Sequence, residues 1–220
     1  MSRNDILRDM EQQLIFIGII LVIVLASMIL HELVHGLVAY WLGDTTARDN
    51  GRLSLNPFKH LDWFMSVLLP LMLAITGGPI FGGAKPVPID GRRLKWGEWG
   101  FALVAIAGPL TNLVLAFLAF LVWDFFGVGW SDWGTLIISQ VVLVNLGFAV
   151  FNMLPIPPLD GSRILYALAP ESVRRGMMRI EQFGIIVVLM MVLLFNNIFV
   201  QIMMGAINGI LSLFQMMVGA

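Results

Sequence analysis

His31 and His35 stand four residues apart, with Glu32 between them, in His31-Glu32-Leu33-Val34-His35. On a helix, residues four apart share a face, so both imidazoles can address one ion. Glu32 is rotated by about 100° from His31. It sits beside such an ion rather than on it, where it can hold and deprotonate a water. That is the mechanical content of an HExxH pattern. Zinc lowers the pKa of a bound water to about 7. Glu32 can accept the proton, the hydroxide can attack a carbonyl carbon, and Glu32 can return the proton to a leaving amine.

The pattern lies inside an apolar run from Leu14 to Leu42, and about 20 apolar residues suffice to cross a membrane. Ionisable groups near the centre of such a span cost roughly 2.5–3.5 kcal/mol each. Three of them in five residues need a compensating partner, and a metal ion supplies one. A catalytic zinc usually has three protein ligands and an open position. The chain has no cysteine, so thiolate ligands, thiol nucleophiles and disulfides are excluded. The third ligand must be a histidine or a carboxylate. His60, the remaining histidine, is one candidate and Asp160 is the better one. Asp160 follows a span directly, in Asn152-Met153-Leu154-Pro155-Ile156-Pro157-Pro158-Leu159-Asp160-Gly161. The prolines cannot continue a regular helix, and the broken backbone is tolerable only where it is buried in protein or lines a wet cavity. An aspartate also supplies the anion that two neutral imidazoles lack.

The elements that must position these residues are read from composition. The 220 residues are 59% hydrophobic and 12% charged, against about 25% charged in a soluble domain. Mean hydropathy is +0.89, which places the chain in a lipid bilayer. A net charge of −1 gives no footing for nucleic acid. After Leu14–Leu42, four more apolar segments follow: Trp63–Phe81, interrupted by Pro70 and Gly77-Gly78-Pro79; Gly100–Trp123; Thr135–Leu154; and Gly184–Val218, broken at Asn196-Asn197 and readable as one tilted span or two helices. Arg163–Glu181 is amphipathic and basic and reads as one surface helix. The expected fold is an all-α polytopic bundle of five or six transmembrane or re-entrant helices, with a short extended segment near 82–89. It forms a single integral-membrane domain over 1–220, with a core at about 14–163 and C-terminal helices at 184–218.

Lys and Arg placement orients the chain. Asp124–Gly134 has neither and faces outward. Gly82–Trp99 and Arg163–Glu181 carry four each and face the cytoplasm. Trp63–Phe81 either crosses or is re-entrant. The span before Asp160 runs outside to inside, and His31 and His35 reach the same depth only if Leu14–Leu42 does too. That favours the re-entrant alternative and puts the site toward the cytoplasmic side.

His31-Glu32-Leu33-Val34-His35-Gly36, taken with Asn152, Pro155, Pro157 and Asp160-Gly161, resembles the site-2 protease family of intramembrane zinc metalloproteases. Gly51-Arg52-Leu53-Ser54-Leu55-Asn56-Pro57, Ala84-Lys85-Pro86-Val87-Pro88 and Ala107-Gly108-Pro109-Leu110-Thr111-Asn112 are similar to further segments of its compact bacterial and archaeal members. The likeness runs from about Leu14 to Arg163. It implies a prokaryotic plasma-membrane protein that hydrolyses peptide bonds within transmembrane segments of membrane-anchored regulators, substrates trimmed first by another protease. It implies His31, His35 and Asp160 as ligands of one Zn2+ per chain, Glu32 as the base and Asn152 as a holder of substrate backbone. Gly82–Ile89 can pair with substrate by strand addition or serve as an ordinary loop, and Asn112 can satisfy broken backbone or line the cleft. Many family members carry a PDZ domain between the central spans, and here the connectors are too short for one. The alternatives are a membrane metal-binding scaffold or chaperone and a metal transporter. Glu32 argues against the first, since a pure binding site needs no unpaired carboxylate beside its ligands. The sparse polar residues in the other spans argue against the second.

Overall fold

The computed structural model describes residues 3–63, 68, 85–126, 131–194 and 196–219. Among these the chain forms eight α-helices: α1 (Arg3–Trp41), α2 (Thr46–Asp49), α3 (Glu98–Phe126), α4 (Asp132–Asn152), α5 (Gly161–Leu168), α6 (Glu171–Glu181), α7 (Ile185–Leu194) and α8 (Asn196–Val218). No strand occurs among the described residues. Four helices contain stretches long and apolar enough to cross a membrane: Met10–Trp41 of α1, all of α3, Trp133–Asn152 of α4 and Asn197–Val218 of α8. This is an all-α integral membrane protein. Most of Trp63–Phe81, and with it the choice between crossing and re-entry, lies outside the described residues.

α3 is the axis of the packing. It packs against both α1 and α4. The contacts His31–Asn112 and His35–Val104 pair rising numbers with falling ones, so α1 and α3 run antiparallel. Where lipid surrounds a bundle, association depends on close van der Waals fit, which small residues permit. Ala116 and Ala119 of α3 supply it, in a core with Phe120, Val142 and Leu146. α8 joins this core through Ile207 and Phe214. The Phe214 ring lies 4.8 Å from that of Phe117 and 5.7 Å from that of Phe120, within the range of favourable aromatic pairs. Elsewhere on α8, Leu213, Met216 and Met217 are exposed and suit lipid.

One expectation is corrected and one open choice is decided. Arg163–Glu181 is not one helix but two, α5 and α6, because Pro170 excludes the helical conformation from the residue before it. Ala169 is extended, at φ −77° and ψ 147°. Arg163 still links the ends of the pair through an ion pair with Glu181, and its guanidinium lies 4.7 Å over the Phe101 ring of α3. Gly184–Val218 divides into α7 and α8. With ten residues, α7 is about 15 Å long, too short to cross.

Candidate metal centre

Three side chains from two separated parts of the chain converge. His31 and His35 come from one face of α1, and Asp160 comes from the residue preceding α5. The Nε2 atoms of His31 and His35 are 3.0 Å apart. Asp160 Oδ2 is 3.2 Å from the first and 3.3 Å from the second. A tetrahedral zinc with bonds of about 2.0–2.1 Å sets its ligand atoms roughly 3.3 Å apart. Both histidines are buried and Asp160 is half-buried.

The far sides of the imidazoles explain why this spacing suits a cation. His31 Nδ1 is 2.6 Å from Asn112 Oδ1, and His35 Nδ1 is 2.7 Å from the Val104 carbonyl. Both partners are acceptors, so each Nδ1 carries the proton and donates. In the neutral tautomer each Nε2 then presents a lone pair. Two lone pairs and a carboxylate oxygen therefore face one another. Asp160 Oδ2 is buried and has no hydrogen-bond partner, which an isolated buried anion could not sustain. The donor set fits a divalent metal, with the Nδ1–H bonds fixing ring orientation from behind.

α3 builds that backing. Asn112 Nδ2 donates to Asn145 Oδ1 of α4 at 2.9 Å, and Asn145 Nδ2 donates to the Val141 carbonyl at 2.9 Å. Because Asn112 spends its NH2 on Asn145, its oxygen is the atom left for His31. Pro109 lies inside α3; it lacks an N–H and leaves the carbonyl four residues back, that of Ala105, without its helical donor. Gly108 faces the rings directly. A Cβ there would overlap His35 Nε2 and His31 Cε1, so only glycine leaves room for the ligand atoms.

Glu32 is half-buried, and its Oε2 accepts the Val87 backbone N–H at 2.8 Å. Val87 belongs to the non-helical stretch Lys85–Asp90, the described part of the expected extended segment. Lys85 N–H donates to the His60 carbonyl at 2.8 Å, so the Lys85 and Val87 donors are engaged within the protein and not offered to an added strand. Asn152, in the last turn of α4, donates its Nδ2 to the Phe148 carbonyl at 3.1 Å. His60 stands outside the cluster. It is fully buried, with Nε2 2.6 Å from the Ser54 carbonyl. His31, His35 and Asp160 are the one group among the described residues that could hold a metal ion.

The residues missed by sequence reasoning are Asn145 and Val104. Asn145 had a signal: an amide in the middle of a strongly apolar span needs a partner. Val104 had none, since its contribution is a carbonyl that every residue possesses.

A family model, Peptidase family M50, matches residues 131–195, which include α4, the Asp160 loop and the helices up to α7. Among the curated relatives are proteins whose names describe them as zinc metalloproteases. YwhC of Bacillus subtilis is 39% identical over 179 residues, covering 78% of each chain. Rip2 of Mycolicibacterium smegmatis is 31% identical over 196 residues, covering 84% of this chain and 71% of that one. MJ0611 of Methanocaldococcus jannaschii is 36% identical over 152 residues, covering 69% of this chain and 71% of that one. No solved structure shows a significant match. A bilayer-spanning chain with this cluster at its centre, similar over most of its length to such relatives, belongs to peptidase family M50, the site-2 protease family.

Proposed function

We propose that this protein is a zinc-dependent intramembrane endopeptidase, cleaving peptide bonds in or near the transmembrane segment of membrane-anchored regulatory proteins. The observation that carries this reading is the convergence of His31 Nε2, His35 Nε2 and Asp160 Oδ2 within an apolar bundle. His31, His35 and Asp160 hold the zinc, one per chain. The zinc, when bound, supplies a Lewis acid that polarises the scissile carbonyl and acidifies a water. Glu32 is the base: it takes a proton from the attacking water and delivers it to the leaving amine. The Asn112–Asn145 relay and the Val104 carbonyl keep the imidazoles in the binding tautomer. Asn152 holds substrate backbone near the break after α4, where an amide offers both a donor and an acceptor to an unwound chain.

The site faces the cytoplasmic side of a prokaryotic plasma membrane, on the strength of the basic residues in Gly82–Trp99 and Arg163–Glu181. The substrate is a single-span protein already shortened by another protease.

The test is metal content together with cleavage of a reconstituted single-span peptide. Wild type and His60→Ala should each retain about one zinc per chain, while Asp160→Ala should lose it and all cleavage with it. Glu32→Gln should keep zinc and lose cleavage. Well-folded wild type without zinc, or an active Glu32→Gln protein, would defeat the reading.

A further inference from the structure

Lys85–Asp90 runs along the last turns of α1 and is tied down at both ends. At one end the Lys85 N–H donates to the His60 carbonyl at 2.8 Å, and Arg52 Nη2 donates to the carbonyls of Lys85 and Pro86 at 2.7 and 3.4 Å. At the other, the Asp90 N–H donates to Asp44 Oδ2 at 2.7 Å, and Ile89 packs on the cluster of Ala39, Leu94 and Val104. Between these anchors lies Pro86-Val87-Pro88. Proline has no N–H, and a residue before proline is held extended. Val87 therefore offers the single N–H of the triplet, on a backbone with little freedom, and that N–H goes to Glu32 Oε2 at 2.8 Å.

The approach is close by construction. A Cβ on Gly36 would lie 2.6 Å from Leu53 Cδ2 and 3.1 Å from Val87 Cγ1. Glycine after His35 thus lets the segment settle against α1 at the level of the site. Glu32 extends from the same helix as His31 and His35, and its three rotatable bonds would otherwise let its carboxylate swing. Among the described residues the Val87 bond is the one hydrogen bond of this carboxylate, and it takes a single oxygen. Oε1 is left for the reacting water.

We propose that the Val87 backbone N–H is a positioning group for the base: by holding Oε2 it aims Oε1 of Glu32 at the site, and the Arg52, His60 and Asp44 anchors serve to place that N–H. The inference rests on Glu32 being the base. An N–H to carboxylate bond is charge-assisted and short, and a misplacement of about 1 Å in a reacting group can slow a reaction by roughly 100-fold.

Two measurements on the full-length protein test it. The first needs no substrate: hydrogen exchange at the Val87 amide, wild type against Glu32→Ala. Exchange should speed by about tenfold or more when the acceptor is removed; an unchanged rate would overturn the proposal. The second replaces the Val87 amide by an ester, which deletes the N–H alone, and uses a quenched fluorogenic peptide built on one apolar span. Zinc content should stay at the wild-type level and KM within about twofold, while kcat falls by about 10–100-fold. An ester variant as fast as wild type beside an inactive Glu32→Gln protein would end the role of Val87 and leave Glu32 as the base. An active Glu32→Gln protein would end both.

Discussion

His31 and Glu32 are neighbours in sequence, yet opposite kinds of structure hold them. His31 leans on Asn112, a side chain rooted in α3 and backed by Asn145 of α4. Its orientation inherits the rigidity of three packed helices. Glu32 leans on a backbone N–H from Lys85–Asp90, a segment without helical bonds of its own. Its orientation inherits what Arg52, His60, Asp44 and the packing of Ile89 impose on that segment. The imidazoles are thus placed by helix packing and the Glu32 carboxylate by a strap. The two can be disturbed separately.

The most damaging change to the packed side is Gly108→Val. Its side chain would occupy the space of His35 Nε2 and His31 Cε1. Zinc affinity should fall by about 100-fold or more, with helical content retained by circular dichroism. Asn112→Ala is milder. It removes the acceptor of the His31 Nδ1–H and frees the ring to rotate, so zinc affinity, measured by competition with a chelator, should weaken by about 10–100-fold. Asp44→Ala probes the other side. Asp44 is fully buried and accepts from the N–H groups of Thr46 and Asp90 at 3.0 and 2.7 Å. Its loss should leave zinc affinity within about twofold and lower unfolding stability by about 1–3 kcal/mol, the cost of stranding buried donors. A large drop in zinc affinity in Asp44→Ala would show that the two supports are one.

The same contrast explains what the sequence reveals. HExxH is legible because a metal admits few residue types and a helix imposes one period on them. Asp160 is legible because proline-broken backbone after a span, ending in an aspartate and a glycine, has few other reasons to exist. The partner of His31 is not legible in this way. Asn112 stands out as a polar residue in an apolar span, but which amide meets which imidazole depends on how α1 and α3 cross, a relation between residues 81 apart. Val104 acts through its carbonyl, and the Val87 contact through its N–H; neither leaves a mark on residue type. The break at Pro170 is a different case. The proline that divides α5 from α6 is visible in the sequence, and the amphipathic pattern of Arg163–Glu181 runs across it.

The lengths of the helices have a consequence for the lipid. The apolar part of α1, Leu14–Trp41, has about 28 residues, about 42 Å at 1.5 Å per residue, whereas α4 has 21 residues, about 32 Å. A hydrocarbon core is about 30 Å thick. The first helix overshoots it and must tilt or thicken the surrounding lipid, while the second matches it. His31 and His35 ride on the overlong helix and Asp160 follows the matched one, so the cluster bridges a hydrophobic mismatch. Bilayers of shorter and longer acyl chains should then shift zinc affinity through the tilt of α1 against α4, and equal affinity in both would show that the bundle absorbs the load before it reaches the centre.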